Sequence, residues 1–328
     1  MSLTFSASGS SFFFPVTNGD LARREGHPEL RDHLAAAYAS RGTTLADLGR
    51  LDDALVDYGA AIDLEEELVH REERSELRHE LAMSYMSRSV ALTDLGRLEE
   101  ALNDCRKCID LEEPLVRLEG RRELRNSLAM AYLNRGRTLG NLGRGEKALG
   151  DYEASIKLRE ELVHGEGRSE LRNDLAHAYM LRGCDLHEMG HLEKAIHDYD
   201  ASISLYEELV QGEGHREFRN DLAIAYMNRG IGLTDLGRLE EALIDYRKCV
   251  SMEEELVNRD GRHDLAGQLA WGYARHADLL IRMGRREEAC QQSRKAIVIL
   301  ETEVTRTGRA DLREVLDLAK EVARKACG

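Results

Sequence analysis

The chain repeats one phrase every 47 residues. Leu30, Leu77, Leu124, Leu171, Phe218, Leu265 and Leu312 open successive copies, with no insertion or deletion between them. A fixed period of this size decides architecture before any single residue is weighed. Each unit leans mainly on its neighbours, so the chain builds an array rather than one closed core.

Within a copy the apolar residues fall at helical spacing. Leu30, Leu34, Tyr38, Leu45 and Leu48 mark one helix of the first copy. Leu51, Ala54, Leu55, Tyr58, Ala61, Ile62, Leu68 and Val69 mark a second. Gly49-Arg50 separates them and recurs as Gly96-Arg97, Gly143-Arg144, Gly190-His191, Gly237-Arg238 and Gly284-Arg285. Glycine supplies the left-handed backbone that a tight helix stop needs. A second break precedes each new copy, as in EGRRE at 119–123 and EGRSE at 166–170. Each unit therefore reads as two antiparallel helices of roughly 18–20 residues. Gly42, Gly136, Gly183 and Gly230 lie inside the first helices. A mid-helix glycine costs about 1 kcal/mol against alanine, so its recurrence points to a helix packed closely against it.

In the fifth copy Gly230, Leu233, Gly237, Leu239, Ala242, Tyr246, Cys249 and Val250 stand in the order of a known motif, and the other copies match. This pattern resembles the tetratricopeptide repeat family. The resemblance implies an all-α fold: an α-solenoid, a right-handed superhelix of antiparallel helical hairpins. Two departures stand out. The usual period is about 34 residues, and the proline that ends the second helix is missing, with only Pro114 near it in one copy. The second helix therefore runs on, which is similar to the extended repeats of kinesin light chains.

The expected organisation is a Phe-rich tail over 1–20, a truncated preceding helix over 21–29, six repeats over 30–311 and a capping helix over 312–328. Arg313, Glu314, Asp317, Lys320, Glu321, Arg324 and Lys325 make the outer face of that cap polar. Phe12, Phe13 and Phe14 form an apolar cluster in the tail. It reads either as a free tail or as a segment that docks on the first hairpin or in the groove, of this chain or of a second copy in self-association.

The formal net charge is −15. Nucleic-acid binders need clustered Lys and Arg, so a nucleic-acid partner is excluded. The six cysteines do not recur with the repeat. They read as small apolar fillers in a reducing compartment, not as a disulfide framework. No Lys or Arg precedes Arg23, so no secretory leader is expected. No apolar run approaches the ~18–20 residues needed to span a bilayer. A cytoplasmic location is expected.

Arg41, Arg88, Arg135, Arg182 and Arg229 recur on the first helices, and Asp57, Asp104, Asp151, Asp198 and Asp245 on the second. An antiparallel hairpin turning at the Gly-Arg step brings these columns face to face. An Arg–Asp bridge is expected inside each of the first five hairpins. In the sixth copy both partners change together, to His276 and Gln292.

A second stripe on the first helices carries Met83, Met86, Met130, Leu133, Asn134, Arg137, His177, Met180, Ile224, Met227, Asn228 and Trp271. Spacings of three and four put these on one side of each helix. By resemblance this side lines the concave groove. Methionine is flexible and polarizable, which suits adaptable binding surfaces. Asn134 and Asn228 would read a peptide backbone. The competing reading buries the stripe between adjacent hairpins. By resemblance, a clamp for C-terminal carboxylates needs basic residues here, and only Arg137 qualifies. An apolar or amphipathic segment, with a basic one also compatible with the net charge, is the better partner.

Two motifs tempt. His187-Glu188-Met189-Gly190-His191 spells a zinc-protease signature, but that chemistry needs both histidines on one continuous helix. Gly190 is the recurrent hairpin turn, so no metal is expected. Cys105 and Cys108 form a CxxC, yet they occupy the columns of Tyr58 and Ala61. They read as packing residues. No catalytic residue and no cofactor are expected. The function expected is a non-catalytic protein- or peptide-binding scaffold, or alternatively a regulatory or sensor subunit of an effector enzyme supplied in trans.

Overall fold

The computed structural model describes residues 28–327. Phe12, Phe13 and Phe14, and all of 1–27, lie outside the described residues. The described chain is helical throughout, with no strand. Its long helices are α1 (Pro28–Asp47), α2 (Leu51–Glu66), α3 (Arg78–Asp94), α4 (Leu98–Arg117), α5 (Arg125–Asn141), α6 (Gly145–Glu160), α7 (Arg172–Glu188), α8 (Leu192–Glu207), α9 (Arg219–Asp235), α10 (Leu239–Asn258), α11 (Ala266–Arg282), α12 (Arg286–Thr307) and α13 (Ala310–Cys327). The first helices after α1 run 17 residues. Three of the second helices run 16 and then widen into a five-residue π turn, as at Glu67–Arg71. The longer period is spent on this extra turn and on a short 3₁₀ turn such as Ser75–Leu77.

The chain falls into two compact units, one ending at Thr138 and the other beginning at Leu139, so the boundary lies inside α5. In the first unit α1 packs on α2, α2 on α3, and α3 on α4. In the second, α6 packs on α7 and each helix from α7 to α12 packs on its successor, with α13 against α11 and α12. This is an α-solenoid arrangement of consecutive antiparallel hairpins.

The hairpin turn is made by backbone alone. Gly49 has φ 74, its N–H bonds the carbonyl of Ala46 at 2.8 Å, and the Arg50 N–H bonds that of Leu45 at 2.9 Å. That double closure satisfies the carbonyls a helix end leaves open. The second break uses the same backbone region. Gly120, Gly167, Gly214, Gly261 and Gly308 all have φ between 68 and 80, and in the first copy Glu73 stands in that column with φ 57.

Inside the first, second, fourth and fifth hairpins two adjacent residues on one helix meet two on the other. Arg41 Nε and NH2 donate to Asp57 at 2.5 and 2.6 Å. Arg88 reaches Asp104 at 2.6 and 2.9 Å, Arg182 reaches Asp198 at 2.6 and 2.7 Å, and Arg229 reaches Asp245 at 2.7 Å twice. The next residue along completes the fit. A Cβ on Gly183 would lie 2.7 Å from the Tyr199 ring, and one on Gly42 would lie 2.8 Å from Tyr58. The recurrent glycines therefore let an aromatic ring lie directly on a helix backbone. In the second copy the pair is Ser89 with Cys105, both buried, so loss of the ring is matched by a larger residue opposite. Cys105 and Cys108 are buried free thiols, each pushed up by burial.

The cap uses α13. Leu312, Leu316, Ala319, Val322 and Ala326 are buried, and the first three join a cluster with Leu269, Tyr273 and Leu300. Arg313, Glu314, Asp317, Lys320, Glu321, Arg324 and Lys325 are exposed. One expectation is corrected here. Cys290 and Cys327 are not apolar fillers but form a disulfide, tying α12 to the end of α13. The two residues stand 37 apart, like Leu149 and Leu186, which belong to one apolar cluster in an earlier copy. A covalent bond replaces an apolar contact at the last step, which non-recurring cysteines could not announce.

Two stability measurements follow. Asp198 is 2% exposed. Asp198→Ala leaves the Arg182 guanidinium without its bidentate partner, and urea unfolding should show a loss on the order of 3 kcal/mol; a loss within about 0.5 kcal/mol, the range of an ordinary surface change, removes the bridge from the fold's determinants. Glu73→Gly relieves a left-handed backbone that costs an L-residue roughly 1–2 kcal/mol. Its unfolding midpoint should rise, and a fall would mean that the Glu73 side chain contributes more than the strain costs.

Candidate functional site

The stripe on the first helices divides into columns. Met86, Leu133, Met180 and Met227 are buried, between 3% and 8% exposed. They serve the core and are withdrawn from the open surface. Met83 and Met130 in the first unit, and His177, Ile224 and Trp271 in the second, are half-buried. So are Asn134, Arg137 and Asn228. Three residues along a helix turn the side chain by about 60° off a full circle. That rotation moves a position from the open rim into the seam against the next hairpin.

The polar members of the stripe already have neighbours. Asn228 Nδ2 lies 3.6 Å from Cys184 Sγ. The Arg137 guanidinium is 3.8 Å from Asp94. Met83 Sδ accepts from Ser127 Oγ at 3.2 Å. The Arg275 guanidinium lies over the Trp271 ring at 5.8 Å. The open columns thus offer an apolar strip with a few rotatable polar groups, rather than a cluster of chemistry-bearing side chains.

The zinc-protease signature is broken as its turn implies. His187 lies in the last turn of α7 and bonds Asp235 at 2.9 Å, while Gly190 has φ 79 and His191 precedes α8. Among the described residues no group of His, Cys, Asp and Glu could hold a metal ion. No helix among them is long and apolar enough to cross a membrane.

Three features between hairpins escaped the sequence reading. The first is a Tyr–Glu–Lys triad. Tyr85 donates to Glu66 of the preceding hairpin, and Lys107 reaches Tyr85 Oη at 2.7 Å and Glu66 at 3.2 Å. Tyr226, Glu207 and Lys248 repeat it, as do Tyr273, Glu254 and Lys295. An arginine also stacks on the same ring, Arg88 on Tyr85 and Arg229 on Tyr226, each at 5.6 Å. The second is an arginine near the start of a first helix that reaches the loop after its own hairpin. Arg31 meets Glu72, Arg78 meets Glu119 at 2.7 Å, and Arg172 meets Glu213.

The third is a column of buried acids on the second helices, Glu65, Glu112 and Glu253, with Arg159 in the third copy. Glu112 bonds His79 at 2.6 Å and Ser127 at 2.8 Å, and this bond raises the His79 imidazole. Glu253 is 1% exposed. Its oxygens lack a partner at full hydrogen-bond geometry. Burial pushes its carboxyl up to about 7, and the weaker approaches of Gln268 and Cys249 offset this only in part. Glu65 is likewise pushed up to about 7 by burial. The 47-residue spacing of these acids is visible in the sequence, but nothing local says that they point inward.

With the hairpin stack and its stripe in hand, the fold defines a helical-repeat protein built for contact along its helices. A family model described as Tetratricopeptide repeat matches residues 81–112, 128–163 and 222–263, and a second of the same description matches 176–209. The chain carries tetratricopeptide repeats over these residues. No curated protein matches the sequence. Among solved structures, BtubC (BKLC) from P. vanneervenii is similar at TM-score 0.62 and 14% identity, over 77% of this chain and 91% of that one. The apo form of RapI is similar at TM-score 0.56 and 14% identity, over 89% of this chain and 98% of that one. These likenesses concern the fold.

The buried acids give a pH dependence with a definite sign. Between the ordinary carboxylate value of about 4.3 and about 7, the folded chain keeps protons on Glu65 and Glu253 that the unfolded chain releases. Stability is therefore full below that window, falls as pH rises through it and levels off above it. Glu253→Gln should be more stable than the parent at pH ~8, on the order of 1–3 kcal/mol, and about equal at pH ~4. Urea unfolding at both pH values checks this; an equal difference at the two would show that Glu253 does not titrate in that window.

Proposed function

We propose that this chain is a non-catalytic scaffold that holds a peptide or protein segment against the partly open columns of its first helices. The observation that carries the reading is the split in the stripe. Met83 and Met130 in one unit, and His177, Ile224 and Trp271 in the other, stay partly open, while the column three residues on is buried. Side chains left partly open along one strip can gain further burial against a bound segment. An apolar or amphipathic segment would supply the missing cover, and Asn134 and Asn228 would turn toward its backbone. The tetratricopeptide repeats support an interaction role. A cytoplasmic location fits the four free cysteines, whereas the Cys290–Cys327 disulfide fits an oxidising compartment.

Trp271 is the chain's single tryptophan, which makes the test direct. A partner captured from the native lysate and returned to the purified chain should shift the tryptophan emission. Ile224→Asp removes apolar cover worth roughly 1.5–3 kcal/mol and should weaken binding by about tenfold or more, with the melting temperature nearly unchanged. Full affinity in that variant would remove the rim from the binding surface. Recovery of one peptide-bearing partner fits the scaffold, whereas a stoichiometric enzyme whose turnover changes on binding fits a regulatory subunit.

A further inference from the structure

A cavity of 480 Å³ in the second unit opens among the end of α8, α9 and α10, away from the stripe. Arg219, Arg247 and Lys248 line it against one carboxylate, Glu255, with the Ser251 hydroxyl, the Tyr226 ring and the Gln211 amide, and Val210 and Met252 form its apolar wall. In a chain of net charge −15 such a concentration of cations is unusual. Two differences from earlier copies bear on it, the second shared with Ser204 of the fourth copy.

The first concerns Arg219. Its counterparts in the same column, Arg78 and Arg172, bond closely to Glu119 and Glu213 in the loop after their hairpin. At the fifth copy that glutamate is Asp260, one methylene shorter. Arg219 is left 3.6 Å from Asp260 and 3.8 Å from Glu255. The second concerns the Arg-Lys pair. In the second copy Arg106-Lys107 is followed three residues on by Asp110, and the first copy has Asp63 in that column. The fifth copy has Arg247-Lys248 followed by Ser251. The first difference moves a carboxylate back from Arg219, and the second leaves a hydroxyl where the first two copies carry a carboxylate.

The acids that remain hold the cations loosely. Arg247 has Glu288 at 3.9 Å, and Lys248 has Glu207 at 3.4 Å besides Tyr226 Oη at 2.7 Å. These distances contrast with the 2.6–2.9 Å bonds of the Arg–Asp bridges. A guanidinium so held is free to turn toward a better acceptor. A phosphate monoester carries about −1.5 to −2 charges and three strong acceptor oxygens. Two arginines, one lysine, a hydroxyl and an amide match that demand, since Arg pairs bidentately with phosphate.

We propose that this cavity binds a phosphoryl group borne on a peptide side chain, its stem resting on Val210 and Met252. The site shares no residue with the stripe, so the two readings stand or fall separately.

The test uses two reversions that restore what other copies already carry. Ser251→Asp puts back the acid of the first two copies, and Asp260→Glu puts back the close partner of Arg219. Both are compatible with the repeat and should fold. The probe is a five-residue peptide, Ala-Ala-phosphoserine-Leu-Ala with blocked ends, titrated calorimetrically into the full chain. The parent should bind it, and affinity should fall steeply between about 50 and 200 mM salt, as an ionic contact requires. Each reversion should weaken binding by about tenfold or more. The unphosphorylated peptide should not bind, and inorganic phosphate should compete weakly; competition as strong as the peptide's own binding would assign the site to the free ion instead. No binding by the parent at millimolar peptide, or equal binding by the parent and both reversions, overturns the proposal.

Discussion

Everything in this structure depends on how closely the two helices of a hairpin approach. That distance is set by a two-residue key. Arg41-Gly42 on one helix meets Asp57-Tyr58 on the other, and Arg182-Gly183 meets Asp198-Tyr199 in the same way. The ring on the glycine fixes separation, and the bridge beside it fixes register. Neither works alone. A ring without the glycine would push the helices apart, and a buried aspartate without its arginine would be an uncompensated charge. The repeat varies the key only by compensated changes. Ser89 with Cys105 trades ring volume across the seam. In the sixth copy Ala277 faces Ser293 while His276 loses its carboxylate partner. The His276 ring is buried with no hydrogen bond, and burial pushes it down to about 4, so it stays neutral. A neutral imidazole can occupy that seam where an unpaired guanidinium could not.

The joints between hairpins follow a different physics. They combine apolar burial with polar groups that are only partly satisfied: a tyrosine hydroxyl on a carboxylate, a lysine shared between the two, and acids such as Glu253 kept neutral by burial. Such contacts are directional but individually weak. A stiff hairpin joined to its neighbour by softer seams lets helices shift against one another without breaking either. The disulfide between α12 and α13 is the exception, a covalent joint at the seam that carries the terminal helix.

The sequence made the hairpin legible because its determinants recur. Period, turn glycines and the Arg–Asp columns all repeat at one spacing, and antiparallel geometry then pairs them without further information. The stripe was legible only to the level of a face. Met83 and Met86 share one side of α3, and their different fates depend on the neighbouring hairpin, which a single helix does not encode. The buried acids were hidden for a related reason. A glutamate column on a helix usually marks solvent, and only the packing shows Glu65, Glu112 and Glu253 turned inward. Cys290 and Cys327 gave no signal, since each appears once and their partnership lies in space, not in spacing.

Departures from a strict repeat therefore carry the most specific information in such a chain. A column kept in every copy serves the array. A column broken once, with no compensating change opposite it, has lost its structural role at that step and is available for another. Ser89 and Cys105 change together and leave the hairpin intact, which identifies repair. Ser251 puts a hydroxyl where the first two copies carry an acid, and Asp260 keeps the negative charge of its column but draws it back from Arg219. Two changes that repair a contact restore its balance, whereas these two leave the arginines of one cavity loosely paired with the acids around them. A loosely paired charge forgoes part of the stabilisation that a close, bidentate partner gives. It persists at equilibrium only because the cations remain partly hydrated and loosely paired, and an anion entering that space would complete the coordination that the repeat elsewhere supplies from within.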